Sequence, residues 1–377
     1  MYALIEHWEL ALGLPRYEYI SHLIFNAGTA TYSHLDVFGF VMDLLRFPIH
    51  AAHHPRRNIQ VNGVLSKDNL GYAWQCNTLG HYVLYRSVQD LLLVYTNFTQ
   101  RSARVLWMSS LDSEPVFDPT DDWQLTKTHH SYQASKYQIE LIASELEKRT
   151  VAAQESGSAS WPSSSLEETV APHGEIHHLI VSPGITSTNM SALLNIWIPG
   201  WRYLMVAAFW IVRLFPLHPL PIAFFADRPL IHQWHVQVRF LGAPHVLMSL
   251  FAAAVSSVHL ALVPLRHVPT ARDAAQLHIS PLDVEYPHWH AYYGQSQKAP
   301  ARVQALRFGS ENDRWGNERP GVVAVPVWEE HPNAGEVLLE RFERLYQAFD
   351  VANAERERGE SGGGAVNGHG NGNGKAR

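Results

Sequence analysis

ARVLWMSS, residues 103–110, reads as a strand with its turn attached. Ala103 to Met108 form an apolar run broken only by Arg104, and Ser109-Ser110 follow at once. A short apolar run closed by a polar turn marks a strand buried on both faces, as in a parallel sheet covered by helices. Two further runs share this form: YISHLIF (19–25), followed by Asn26-Ala27-Gly28, and IHHLIVS (176–182), followed by Pro183-Gly184. Helical patterns lie between them. In YQASKYQIELIASELEKR (132–149), Ile139, Ile142, Ala143 and Leu146 fall at i, i+3, i+4 and i+7, one apolar stripe with Glu and Lys elsewhere. Residues 70–98 are also mostly helical in pattern, with Asn77 near the middle. Alternating strands and helices predict an α/β fold, a doubly wound, Rossmann-like parallel sheet. Ligands of such sheets sit beyond the carboxyl ends of the strands, so the three turn groups are expected to converge.

Composition narrows the partners. The 377 residues carry a formal net charge of -6 and no long basic run, which argues against nucleic acid. Charged residues are only 17% while Trp numbers 12, so apolar contact is in unusual demand. Cys76 is the single cysteine, which excludes an intrachain disulfide and suits a reducing compartment. Glu6 and Glu9 stand where a secretory signal would be basic and then apolar, so the sequon at Asn97 has no evident route to glycosylation.

One domain is expected over 1–350, with a Ser-rich disordered insertion at 151–173 and a disordered Gly/Asn-rich tail at 351–377. Residues 190–265 form an apolar lobe. Its first part, 190–215, is broken by Pro199-Gly200, Arg202 and Arg213, and reads either as a core helix or as an interfacial one at a membrane or a greasy ligand. Phe240 to Leu265 lacks Lys, Arg, Asp and Glu and is long enough to span a bilayer, though its histidines, serines and prolines weigh against that.

Tyr132 and Lys136 are four apart and so share a helix face. A protonated lysine beside a phenol favours phenolate, which is expected to lower the Tyr132 pKa and make it a usable general acid. Ser110, with Ser109 as its alternative, can hold the same substrate oxygen, and Asn77 can anchor a water that connects the lysine to solvent. This set moves a proton but supplies no electrons, so a hydride source such as a nicotinamide has to be added. His50, His53, His54, His288 and His290 lack partners at zinc-motif spacings and read as core or solvated residues, and Cys76 as a small packed side chain.

Asn26-Ala27-Gly28, Asn77, Ser110, Tyr132-x-x-x-Lys136 and Pro183-Gly184-Ile185-Thr186-Ser187-Thr188 occur in the order of the short-chain dehydrogenase/reductase family. The gap from Ser110 to Tyr132 is 132 − 110 = 22, wider than is usual there. More narrowly, NAGTATYSHLD, GYAWQCNTLGHYVL, RVLWMSSLDSEP, SYQASKYQIELIA and RFGSENDRWGNE resemble the fungal 3-keto-steroid reductases over roughly residues 18–350. The resemblance implies NADPH-dependent reduction of the C-3 ketone of a sterol intermediate in C-4 demethylation. It makes Tyr132 the proton donor, gives Lys136 the nicotinamide ribose, has Ser110 orient the carbonyl and Asn77 support the proton relay. Asn26, Ala27 and Gly28 would pass the cofactor, and Pro183, Gly184, Thr186 and Thr188 would flank its nicotinamide and pyrophosphate. It further implies a sterol substrate, the other enzymes of C-4 demethylation as partners, and the cytosolic face of an endoplasmic reticulum membrane or lipid droplet.

Family members open with a strand and a Gly-x-x-x-Gly-x-Gly turn, whereas the first 25 residues here hold one glycine, Gly13. The chain is therefore expected to begin after the first βαβ portion, with weak cofactor binding and an exposed sheet edge. A non-catalytic scaffold of a sterol complex and a reductase of retinoids or 17-keto-steroids are the alternatives.

Overall fold

A computed structural model describes residues 18–46, 57–156, 175–186, 247–248, 250–273, 302–312 and 318–362. The elements run β1 (His22–Phe25), β2 (Tyr32–Leu35), α1 (Val37–Arg46), β3 (Asn58–Gln60), α2 (Gly80–Thr99), β4 (Ala103–Met108), α3 (Ser131–Ser156), β5 (Ile176–Ser182), β6 (Ile185–Thr186), β7 (Leu247–Met248), α4 (Leu250–Leu262), β8 (Val303–Asn312), β9 (Glu318–Pro326) and α5 (Ala334–Gly362). One sheet has the order β1-β4-β5-β8-β9. Its first four strands are parallel, and β9 returns antiparallel along β8.

Period-two alternation explains why the strands read as unbroken apolar runs. Val105 and Trp107 of β4, with Ile176 and Ile180 of β5, enter the core under α2, α3 and α5. Leu106, Met108, Leu179 and Val181 point the other way and, with Leu306 and Phe308 of β8, pack against Leu260 of α4. Helices thus cover both faces, and the Rossmann-like α/β expectation holds. Two of the three expected strands match over their whole length. The first is shorter, because Tyr19 leaves the strand to stack its ring on Phe98 at 6.0 Å.

Helix α3 departs from the amphipathic expectation. Every residue from Ser131 to Ser144 is buried, including Gln133, Gln138 and Glu140, because the helix lies between the sheet and α5. Helix α5 also runs through Gly362, twelve residues into the segment 351–377 expected as disordered tail. Its stretch Ala352 to Glu360 is rich in Glu, Arg and Ala, strong helix formers that outweigh the glycines further on. Likewise α3 continues to Ser156, past the expected start of the insertion at 151, and the remainder of that insertion lies outside the described residues. Of the apolar lobe 190–265, Leu247–Met248 and Leu250 onward are described, and no helix among the described residues is long and apolar enough to cross a membrane.

Candidate functional site

Parallel register brings the turn groups to one edge. Phe25 pairs with Trp107, and Met108 with Val181, so Asn26-Ala27-Gly28, Ser109-Ser110 and Pro183-Gly184 all leave the sheet at its carboxyl end. Asn26, Ala27 and Gly28 are exposed there, and Gly184 takes φ 73°, the left-handed region that suits glycine. Thr186 is described by its backbone, in a two-residue strand against β7, and Thr188 lies outside the described residues, as do His50, His53, His54, His288 and His290.

The 21 residues between Ser110 and Tyr132 fold around their own carboxylates. Asp122 accepts the backbone N–H groups of Thr126 at 2.7 Å, Lys127 at 2.9 Å and Thr128 at 2.8 Å, and Trp123 meets Trp74 edge-on at 5.2 Å. This ordered loop accommodates the wide spacing and delivers the chain to the start of α3. There Gln60 of β3 accepts the Tyr132 N–H at 2.9 Å and the Ser131 hydroxyl at 3.1 Å, a cap lent by another element.

The two serines divide their work. Ser109 is buried and donates to Glu140 at 2.5 Å, while the Ser110 side chain lies close enough to the Tyr132 phenol to lower its pKa. Ser110, the second of the pair, therefore faces the tyrosine. Lys136, one turn along, donates from Nζ to the Met108 carbonyl at 2.8 Å and sits 5.9 Å from the Tyr132 ring centre. A Cβ placed on Gly28 would stand 3.5 Å from that Nζ and 3.6 Å from Asn77 Oδ1, so the exposed turn, the ammonium and the amide share one small space.

Asn77 sits in a π turn, Gln75–Leu79, and not in the α-helix its pattern suggested. The wider turn aims its amide inward, as such turns often do at functional sites. Its Nδ2 donates to the Thr29 carbonyl and to Ser135 Oγ, both at 2.8 Å, while Oδ1 accepts the Thr29 N–H at 2.7 Å. Both amide protons are thereby committed, which leaves Oδ1 as the atom open to a further partner.

The expected electrostatics are overturned in one respect. Burial pushes the Tyr132 phenol up to about 12, with the Ser110 hydrogen bond pulling it down and Asp112 pushing it further up. Burial moves Lys136 the opposite way, down to about 8. Desolvation of both groups outweighs their mutual field, so the lysine does not bring the tyrosine below its ordinary value. Cys76, expected to be packed, is exposed, and burial of its thiol raises its pKa, which makes it a poor nucleophile.

No family model matches the chain. A 3-keto-steroid reductase of Debaryomyces hansenii is 28% identical over 217 residues, 57% of this chain and 54% of its own length. One from Eremothecium gossypii is 35% identical over 127 residues, 34% of this chain and 35% of its own. That of Aspergillus fumigatus is 24% identical over 362 residues, 89% of this chain and 66% of its own. The chain is similar to fungal 3-keto-steroid reductases. It spans about half the length of the first of these reductases and a third of the second. A solved structure of an uncharacterized Mycobacterium paratuberculosis protein aligns with TM-score 0.28 and 20% identity over 47% of this chain and 46% of its own, too distant to bear on the site.

Several residues around this site carry no sequence signal of their own. Tyr32 tilts its ring over Tyr132 at 6.0 Å, held by the β2–β3 pairing that sets it opposite Gln60. Asp112 lies close enough to act on both phenols. His81 stacks on Phe25 at 4.8 Å, and burial, then the Lys136 charge, drive its imidazole down to about 4, so it is neutral. A Gly-His pair one turn after Asn77 was visible, but nothing in its spacing tied it to the lysine.

Proposed function

We propose that this chain carries the proton-delivery site of an NADPH-dependent reductase that converts the C-3 ketone of a sterol intermediate to the 3-hydroxyl during C-4 demethylation. The observation that carries this reading is the gathering of Ser110, Tyr132 and Lys136 at the carboxyl edge of the sheet, with the Lys136 ammonium on the Met108 carbonyl and 5.9 Å from the Tyr132 ring centre. A ketone oxygen entering between Ser110 and Tyr132 accepts a hydrogen bond from each. Ser110 fixes the oxygen, and Tyr132 gives it the phenolic proton as it gains negative charge. The high pKa of the buried phenol keeps that proton in place until it is needed. Lys136 supplies the positive charge that steadies the resulting phenolate, and Asn77 Oδ1 offers a water its place on the return path.

The residues present fit the ribose end of a dinucleotide: Gly28 sets an exposed backbone turn beside the Lys136 ammonium, and Gly184 turns in the left-handed region. Asn26, Ala27, Gly28, Tyr132, Lys136, Pro183, Gly184, Thr186 and Thr188 would hold it. When bound, the nicotinamide supplies the hydride. A glycine-rich phosphate loop is absent from the described residues. The sterol itself argues for work at the cytosolic face of an endoplasmic reticulum or lipid-droplet membrane, beside the other C-4 demethylation enzymes. Helix α4 supports this with an outward face of Phe251, Val258 and Leu262, all exposed.

The test is NADPH oxidation with a 3-keto sterol, compared between the native chain and Tyr132→Phe. Loss of the general acid should lower kcat by about 10²- to 10⁴-fold with little change in ketone affinity. Full activity in Tyr132→Phe would remove the tyrosine from its role. A fluorescence titration without NADPH saturation would leave only a scaffold.

A further inference from the structure

The segment RFGSENDRWGNE begins with an arginine that the proton-transfer scheme does not use. Arg307 lies on β8, paired with Ile180 of β5. Its neighbours Leu306 and Phe308 face α4, so alternation turns Arg307 to the opposite side of the sheet, toward α3. There Nη1 donates to Glu140 Oε1 at 2.8 Å and to the Ser110 carbonyl oxygen at 3.1 Å. Glu140 is nearly sealed, with 2% of its side chain exposed, and also takes the Ser109 hydroxyl at 2.5 Å.

Three consecutive residues at the end of β4 are therefore each held by an ionic group. Lys136 takes the Met108 carbonyl, Glu140 takes the Ser109 hydroxyl, and Arg307 takes the Ser110 carbonyl. Lys136 and Glu140 are four apart, one above the other on α3. An ion pair is an expensive way to join a strand to a helix, since desolvation offsets most of its attraction. This one is not even fully satisfied among the described residues, where Arg307 Nε is buried without a hydrogen-bond partner. An aliphatic pair would join the elements at least as stably. What it could not do is grip the main chain of Ser110.

We infer that Arg307, charge-balanced by Glu140, is a positioning residue that fixes the backbone of Ser110 so that its hydroxyl meets Tyr132 and the substrate oxygen. This rests on the reductase reading for its catalytic consequence, though not for the geometry. A displacement of Ser110 by about 1 Å should cost about 100-fold in turnover.

The experiment uses the full chain with R307M, R307K, the double variant E140Q/R307M, S110A, and S110A/R307M. Hydrogen exchange is followed in the 109–113 turn, where the Asp112 N–H bonds Ser110 Oγ and the Ser113 N–H bonds the Ser110 carbonyl. R307M should speed exchange in that turn selectively. It should lower kcat about 10- to 100-fold with KM nearly unchanged, and R307K should recover part of the loss. S110A/R307M should be no slower than S110A, because both act on one group. E140Q/R307M should regain thermal stability relative to R307M without regaining kcat. Exchange that rises evenly across the fold, or a turn unchanged in R307M, overturns the inference whatever the activity. Should the native chain and S110A turn over alike, the reductase reading fails while the exchange still decides the positioning.

Discussion

Burial moves the two ionisable groups of the site in opposite directions, and their titration should show it. Lys136, with its folded pKa near 8 against 10.5 unfolded, binds fewer protons folded than unfolded between those values. Unfolding free energy should therefore rise with pH across about pH 8 to 10.5, and Lys136→Met should lack that rise in denaturant titrations. If the proposed reduction needs the ammonium, kcat should fall above about pH 8, well before the Tyr132 phenol titrates near 12. A profile flat to pH 10 would dissociate Lys136 from turnover. At this scale the sequence pointed to Tyr132, Lys136 and Ser110, which the fold brings together, but misjudged the sign of the tyrosine shift. Four-residue spacing states proximity along a helix, whereas a pKa depends on how much water the rest of the fold removes. Arg307 and Tyr32 were hidden for a related reason: their roles come from a sheet register and a ring contact that no local pattern encodes.

Elements show a similar division. The strands at 103–108 and 176–182 were readable because burial on both faces leaves an unbroken apolar run. The start of α3 was readable to within one residue, but its cap was not, because it comes from Gln60, which lies 72 residues before Tyr132. Gln60 also donates to Gln133 at 2.6 Å, so it ties the β2–β3 pair to the first turn of the helix. Gln60→Ala should cost about 0.5–2 kcal/mol, the usual range for a lost helix cap, in equilibrium unfolding. It should also loosen Tyr132, lowering kcat more than it raises KM. A stability loss with unchanged kcat would mean the cap supports the helix without aligning the phenol. The π turn at Asn77 belongs to the same class of feature, since one extra residue in a helical ladder leaves no trace in hydrophobic spacing.

The molecule as a whole is closed by its last helix. Phe342 of α5 is fully buried, edge-on to Trp74 at 5.3 Å and to Tyr82 at 5.6 Å, and Glu343 accepts the Tyr82 hydroxyl at 2.6 Å and pairs with Arg86 at 3.0 Å. Arg341 lies over the Trp123 ring at 5.2 Å and donates to the Pro119 carbonyl, so α5 also secures the loop that leads into α3. Phe342→Ala should destabilise the fold by about 3–5 kcal/mol, read by denaturant midpoint. A shift under about 1 kcal/mol would show that α5 is an accessory. Helix α5 was not read from the sequence, and its last twelve residues fall in the segment expected as a tail, because the glycines beyond it dominate the composition there. Near its start the backbones come very close: a Cβ on Gly335 would stand 3.1 Å from the Leu141 carbonyl oxygen of α3. Any molecule that approached α3 from this side would meet α5 first, so that face of α3 becomes a surface only where α5 has been released.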